Sequence, residues 1–318
     1  MRLCRFGSEN APRVGFYDER RIVPLKEAII TYSQAQDRSL EIPAATDVLP
    51  FLPGGQSFAA ARDLAAWVHA HPDRVASFSV DTDKTRLLVP VPRPNKIFLL
   101  AGNYADHIRE GGGIAAERAE TFPYVFMKPP STTLTHPGAA IKIPRTAPDA
   151  VDWELELAVV IGKRAKHVSE ADALNYVAGY TVINDISQRR YRPNPGRKKR
   201  EKDAFFDWLH GKWFDSFCPV GPCVASADAI PDPQALRMKL ELNDIVKQDA
   251  STAQQIFPVA AVIEFISKMV TLEPGDLIST GTPAGVGSTT GTFLKPGDVM
   301  RGSIERIGTL VTPVAMEG

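Results

Sequence analysis

Cysteine is scarce: Cys4, Cys218 and Cys223 are three in 318 residues, with no Cys-X-X-Cys pair. So few, at such spacings, exclude a disulfide framework or a cysteine zinc cluster as the organising principle. Excess charge of one sign is also lacking, since 37 Lys and Arg balance 37 Asp and Glu. A neutral total removes any global attraction to nucleic acid or to an anionic membrane surface. No apolar run nears the ~18 residues that a membrane span needs. Residues 1–6 lack an apolar leader core, so a soluble protein of the reducing cytoplasm is expected. No Gly-X-Ser-X-Gly elbow is present, which leaves a serine-hydrolase mechanism without support. What the chain does have is 44% hydrophobic residues, 26 Pro and 23 Gly. That composition provides a core and punctuates it with many turns.

Residues 1–6, 13–17 and 21–24 read as short strands, and Phe58–Ala70 as a helix with Leu64, Trp67 and Val68 at helical spacing. Pro90, Pro92 and Pro94 forbid a helix and favour an extended link. The link divides the chain into a small N-terminal α/β domain over 1–92 and a larger domain over 93–318. In the second part, strands are expected at 96–100, 140–143, 154–161, 178–184, 238–242, 277–280 and 299–304. Asn243-Asp244 reads as a tight hairpin turn. Helices are expected at 170–177, capped by Ser169, and at 259–269. Many short strands with few helices predict a β-rich α+β fold, a mixed β-sandwich roll with peripheral helices.

Two constellations carry chemistry. In the strand that follows Val151-Asp152-Trp153, period-two alternation puts Glu154 and Glu156 on one face, which continues as Ala158 and Val160. Paired carboxylates entering a core repel, and a divalent cation relieves the conflict. Asp185, closing the strand at 178–184, supplies a third acid. Oxygen donors without His or Cys suit Mg²⁺, Mn²⁺ or Ca²⁺ better than Zn²⁺. The second constellation is His107 with Glu110, three apart on a helical turn, where a carboxylate orients the imidazole as a general base. Gly111, Gly112 and Gly113 follow it and make the segment easy to move, as in a lid.

Other residues receive plainer readings. The run 189–202 holds eight basic residues and one acid, and reads as a solvated loop that also attracts an anionic substrate. His136 reads as a turn residue, His210 as lining an entrance near Lys212, and Cys218 and Cys223 as small buried residues.

Taken together, the chain resembles the fumarylacetoacetate hydrolase family over 95–315. The matching segments are Gly102-Asn103-Tyr104-Ala105-Asp106-His107, Lys128-Pro129-Pro130-Ser131, Asp152-Trp153-Glu154-Leu155-Glu156-Leu157 and Asn184-Asp185-Ile186-Ser187. Two more follow, one running from Gly211-Lys212-Trp213 to Pro222 and one from Ser279 to Gly287 around Gly281-Thr282-Pro283. The resemblance implies a mixed β roll, a homodimer, Mg²⁺ or Mn²⁺ on Glu154, Glu156 and Asp185, and a short 2-oxo or 1,3-diketo acid as substrate. It implies that His107 and Glu110 activate water, that Lys212 contacts an enolate, and that Thr282 approaches a substrate carboxylate. Arg189 keeps a family arginine, while Arg192 stands where the family has Gln, which favours a dicarboxylate. The reading expected first is hydrolytic carbon–carbon cleavage, of an acylpyruvate, fumarylpyruvate or diketo sugar acid. A decarboxylase or isomerase of an oxaloacetate-type acid is the alternative, and a non-catalytic acid-binding protein the third.

Overall fold

The computed structural model describes residues 1–40, 42 and 46–318. Among them, twelve strands form one large mixed sheet. Its main path runs Val80–Asp81, Arg21–Pro24, Ala11–Tyr17, Arg2–Ser8, Cys218–Ser226, Val177–Asn184, Leu155–Ile161, Leu277–Ser279, Ile97–Ala101 and Tyr124–Met127. A second sheet of five strands contains Arg237–Leu242, Ile245–Ser251, Val299–Ile304, Gly308–Met316 and Ile141–Ile143. The fold is therefore the β-rich α+β roll that the strand pattern predicts.

The alternation along Leu155–Ile161 explains how the layers meet. Leu155, Leu157 and Val159 belong to one hydrophobic core, with Trp153, Met238, Leu240 and Met300 from the region of the second sheet. Ala158 and Val160 point the other way, into a core that they share with Leu64, Trp67 and Val68 of helix Phe58–Ala70. Both faces of this strand are buried, so it reads as a nearly continuous apolar run broken only by its carboxylate.

Several expectations meet their elements with small shifts. The Asn243-Asp244 hairpin exists: Leu242 opposes Ile245, and both turn residues have positive φ, 51° and 64°. The helix expected at 170–177 is instead a 3-10 segment, Glu170–Tyr176, with Ser169 capping Asp172 as anticipated. The longer helices not foreseen are Leu25–Gln36 and Asp203–His210, with single turns at Pro72–Val75 and Gly287–Thr290. The strand Cys218–Ser226 was also missed, because Pro219, Gly221 and Pro222 read as turn punctuation. The sheet absorbs them with a register shift opposite Tyr180 and Val182. No helix among the described residues is long and apolar enough to cross a membrane.

Candidate active site

Strand pairing builds the acid cluster. Leu155 opposes Asn184, so the residues just outside that pair, Glu154 and Asp185, stand side by side, and Asp185 N donates to Glu154 O at 2.8 Å. Glu156 lies two residues further in, on the same side as Glu154. Ligand oxygens of Glu154, Glu156 and Asp185 all lie within 4.8 Å of one another. The three residues are buried, at 5%, 0% and 0% exposure, so solvent does not screen them.

Two buried lysines and a half-buried arginine hold most of this charge. Lys212 Nζ lies 2.7 Å from Glu154 Oε2 and 2.6 Å from Asp185 Oδ2. Lys128 donates to the carbonyls of Ile186 and Phe217, and its Nζ stands 2.5 Å from Asp185 Oδ1 without a directed hydrogen bond. Arg189 places Nε 2.8 Å from Asp152 Oδ2 and Nη2 2.5 Å from Glu154 Oε1. Burial works to raise the Glu154 pKa, but Arg189, Lys212 and the charge of His107 bring it down to about 2.

Glu156 is different. Its Oε2 accepts from Ser279 Oγ at 2.6 Å and from Gly281 N at 2.8 Å, but its Oε1 is buried with no hydrogen-bond partner. Burial, then the charges of Asp185 and Glu154, push its pKa well above the carboxylate range. An orphaned buried carboxylate oxygen facing two further carboxylates is an unmet demand for positive charge. The donor set is all oxygen, so these three residues fit a hard divalent cation.

The helix Ala105–Glu110 brings His107 and Glu110 together as their spacing predicts. His107 Nδ1 is 2.8 Å from Glu110 Oε1, which assigns the Nδ1 proton to that bond and leaves Nε2 free. Glu110 Oε2 accepts from Gly285 N at 2.9 Å and Thr289 Oγ1 at 3.4 Å. Asn103 pins the turn before this helix, donating to Thr280 O at 2.8 Å and Phe257 O at 3.0 Å.

Thr282 and Arg192, two expected substrate contacts, differ in their surroundings. Thr282 is buried, but its hydroxyl donates to Leu155 O at 3.0 Å and accepts from Gln248 Nε2 at 2.8 Å. Arg192 is exposed in the loop after Arg189, with no polar partner among the described residues. In the rest of the basic run, Arg197 pairs with Asp203 and Asp207, and Arg200 with Asp203. His136 accepts from Val89 N at 2.9 Å as a loop residue, and His210 packs 5.1 Å from the Trp213 ring. Burial pushes the Cys218 and Cys223 thiols up to about 12, which makes them inert.

Sequence reasoning missed Lys128, Asp152 and Gln248 as site residues. Lys128 and Asp152 stand inside quoted motifs but were assigned no role. Gln248 carried no local signal, because its partners Leu155, Thr282 and Pro283 are distant in sequence.

A sequence profile described as the C-terminal region of fumarylacetoacetate (FAA) hydrolase matches residues 96–315. The oxaloacetate tautomerase YisK of Bacillus subtilis is 36% identical over 289 residues, covering 89% of this chain and 92% of that protein. The mitochondrial oxaloacetate tautomerase Fahd2a of Rattus norvegicus is 38% identical over 237 residues, covering 74% and 71%. Among solved structures, maleylpyruvate hydrolase from Sphingobium sp. SYK-6, in complex with manganese(II) ion and pyruvate, matches with a TM-score of 0.72. It is 28% identical, and each chain is covered over 100% of its length. These relatives overturn the expectation of hydrolytic carbon–carbon cleavage. An oriented imidazole beside an acid cluster serves water activation and proton transfer equally well, so residues alone favoured the wrong branch. Similarity to tautomerases at 36–38% identity supports the isomerase alternative instead.

Proposed function

The chain belongs to the fumarylacetoacetate hydrolase family, and within it we propose that the reaction is keto–enol interconversion of oxaloacetate or a close 2-oxo dicarboxylate. The observation that carries this reading is the similarity to an oxaloacetate tautomerase across 89% of the chain, and the His107–Glu110 hydrogen bond and the acid cluster support it.

Tautomerisation moves one proton from the C2 hydroxyl and delivers one to C3, with no bond between heavy atoms broken. His107 is the group that exchanges a proton with C3, through Nε2, because Glu110 holds Nδ1. Gly285 N fixes the far side of Glu110, so the imidazole keeps one orientation. Lys212, buried between Glu154 and Asp185, places an ammonium where negative charge develops on the C2 oxygen. Glu154, Glu156 and Asp185 would hold Mg²⁺ or Mn²⁺, which supplies Lewis-acid polarisation of the 2-oxo group. The family's carbon–carbon chemistry needs an attacking water in addition; this proton shuttle does not.

The test is the ultraviolet absorbance of enol-oxaloacetate in the presence of each cation, with acids and CO₂ measured in parallel. The expected result is accelerated loss of the enol with no new acid and no CO₂. His107→Ala should slow turnover by about 10²–10⁴-fold, the usual worth of a positioned acid–base. Unchanged enol decay, or CO₂ release at the rate of enol loss, overturns the reading.

A further inference from the structure

We propose that Asp152 is a positioning residue that holds the His107–Glu110 pair and the carboxylate cluster in one register. The inference rests in part on the reaction proposed above.

Asp152 is fully buried. Its Oδ1 accepts from Trp153 N at 2.8 Å and Gly287 N at 2.7 Å. Its Oδ2 accepts from Ser288 N at 2.9 Å and Arg189 Nε at 2.8 Å. A carboxylate has about four acceptor sites, and here all are taken, so Asp152 has none left for a cation or a substrate. It acts through its donors instead.

Two arms leave it. On one side Arg189, gripped at Nε, carries Nη2 to 2.5 Å from Glu154 Oε1. On the other, the amides of Gly287 and Ser288 tie down a turn whose Gly285 N donates to Glu110 Oε2 at 2.9 Å. Trp153 Nε1 braces the same turn through Gly285 O at 3.1 Å. Residues 152–154 and 285–288 thus form one clamp. One end orients a cluster carboxylate and the other orients the partner of the proton-transferring imidazole. An amide at position 152 would turn N–H groups toward the Gly287 and Ser288 amides or Arg189, and both arms would loosen together.

The experiment is a pair of double-variant cycles on the full chain. Mn²⁺ is titrated into metal-free protein for wild type, Asp152→Asn, Arg189→Gln and the double variant. Enol turnover is then measured for Asp152→Asn, Glu110→Gln and their double variant. Asp152→Asn should weaken Mn²⁺ binding by about 10–100-fold, as loss of a ligand's supporting partner does. Its kcat should fall at least about tenfold, with KM within about twofold, as for an interaction made only in the transition state. Each double variant should lose less than about twofold beyond its worse single, because the residues act in series. Additive losses in either cycle, or unchanged Mn²⁺ affinity, overturn the proposal. Should Asp152→Asn not fold by near-ultraviolet circular dichroism, the same cycles are read on Asp152→Glu, which keeps the charge but displaces it. Inactivity of the wild type on oxaloacetate would sink the reaction assigned above, while the Mn²⁺ cycle would still decide the clamp.

Discussion

The Glu156 side chain takes two donors on Oε2 and none on Oε1, although both oxygens are buried. Without a cation the group prefers its neutral form, as burial and the charges of Asp185 and Glu154 dictate. A carboxyl whose pKa is raised on folding stabilises fully below its unfolded value of 4.5, and the contribution is lost as pH rises through the raised value. Glu154 has the opposite sign: held at about 2, it stabilises above 4.5 and fails only in strong acid. In the metal-free protein the Glu156 contribution is therefore lost through the neutral range, against the opposite slope of His136 and the N-terminal amine, whose pKa values burial lowers. The thermal midpoint should fall as pH rises from about 5 to 8, and Glu156→Gln should flatten that fall. Added Mn²⁺ should raise the wild-type midpoint by mass action and leave the variant's nearly unmoved. Scanning calorimetry at several pH values checks this; a metal-free variant less stable than wild type at about pH 8 contradicts it. Strand alternation is local, so residue identity could put Glu154 and Glu156 on one face, whereas Asp185 joins them through the pairing of Leu155 with Asn184 and was tied to them in sequence by the family resemblance. It could not place Arg192, whose exposed position depends on how residues 190–202 leave the sheet.

At the scale of elements, the turn 281–288 joins the two halves of the site. Gly281 N serves Glu156, Gly285 N serves Glu110, and Gly287 N serves Asp152. Gly285 has φ of +103°, and a Cβ there would stand 2.0 Å from Lys247 O, inside hard contact. Gly285→Ala is accordingly expected to shift the turn and withdraw the amide from Glu110. The predicted loss is about 10-fold or more in kcat, with a stability cost of about 2 kcal/mol or more from strain and clash. Steady-state kinetics with urea unfolding reads both; kcat within about twofold of wild type would show that Glu110 needs no such anchor. The glycines were visible in the sequence, and so was the Gly-Thr-Pro turn, but what they serve was not. Backbone donors leave no trace in residue type. Arg237–Leu242 was legible for the converse reason, since its clean alternation writes its own buried face, and Leu155–Ile161 was legible as an apolar run buried on both faces. The strand Cys218–Ser226 was hidden because its prolines obey tertiary rather than local rules.

For the molecule as a whole, every proposed site residue from His107 to Thr282 lies in the larger expected domain. Residues 1–92 pack deeply against it. The strand Arg2–Ser8 pairs with Cys218–Ser226 through Arg2 opposite Ala225 and Leu3 opposite Val224. Cys4, Phe6, Tyr17 and Ile22 sit in the same core as Trp153 and Leu155, which flank the Glu154 carboxylate. Leu64, Trp67 and Val68 cover Ala158 and Val160 on the other face of that strand. A chain restricted to residues 93–318 would keep the acid cluster yet bare the Ala158 and Val160 face of the strand that aligns it, and the edge of Cys218–Ser226. Exposed apolar area of that kind removes the main driving force for folding and leaves an unpaired sheet edge. The expected outcome is a fragment that binds a hydrophobic dye, melts without a cooperative transition and shows no saturable Mn²⁺ binding. Adding the 1–92 segment in trans should restore some of that binding if edge pairing and core burial are the missing terms. A fragment that melts cooperatively and binds Mn²⁺ as the full chain does would show that the carboxylate geometry is set within 93–318 alone, by the pairing of Leu155 with Asn184 and the donors on Asp152.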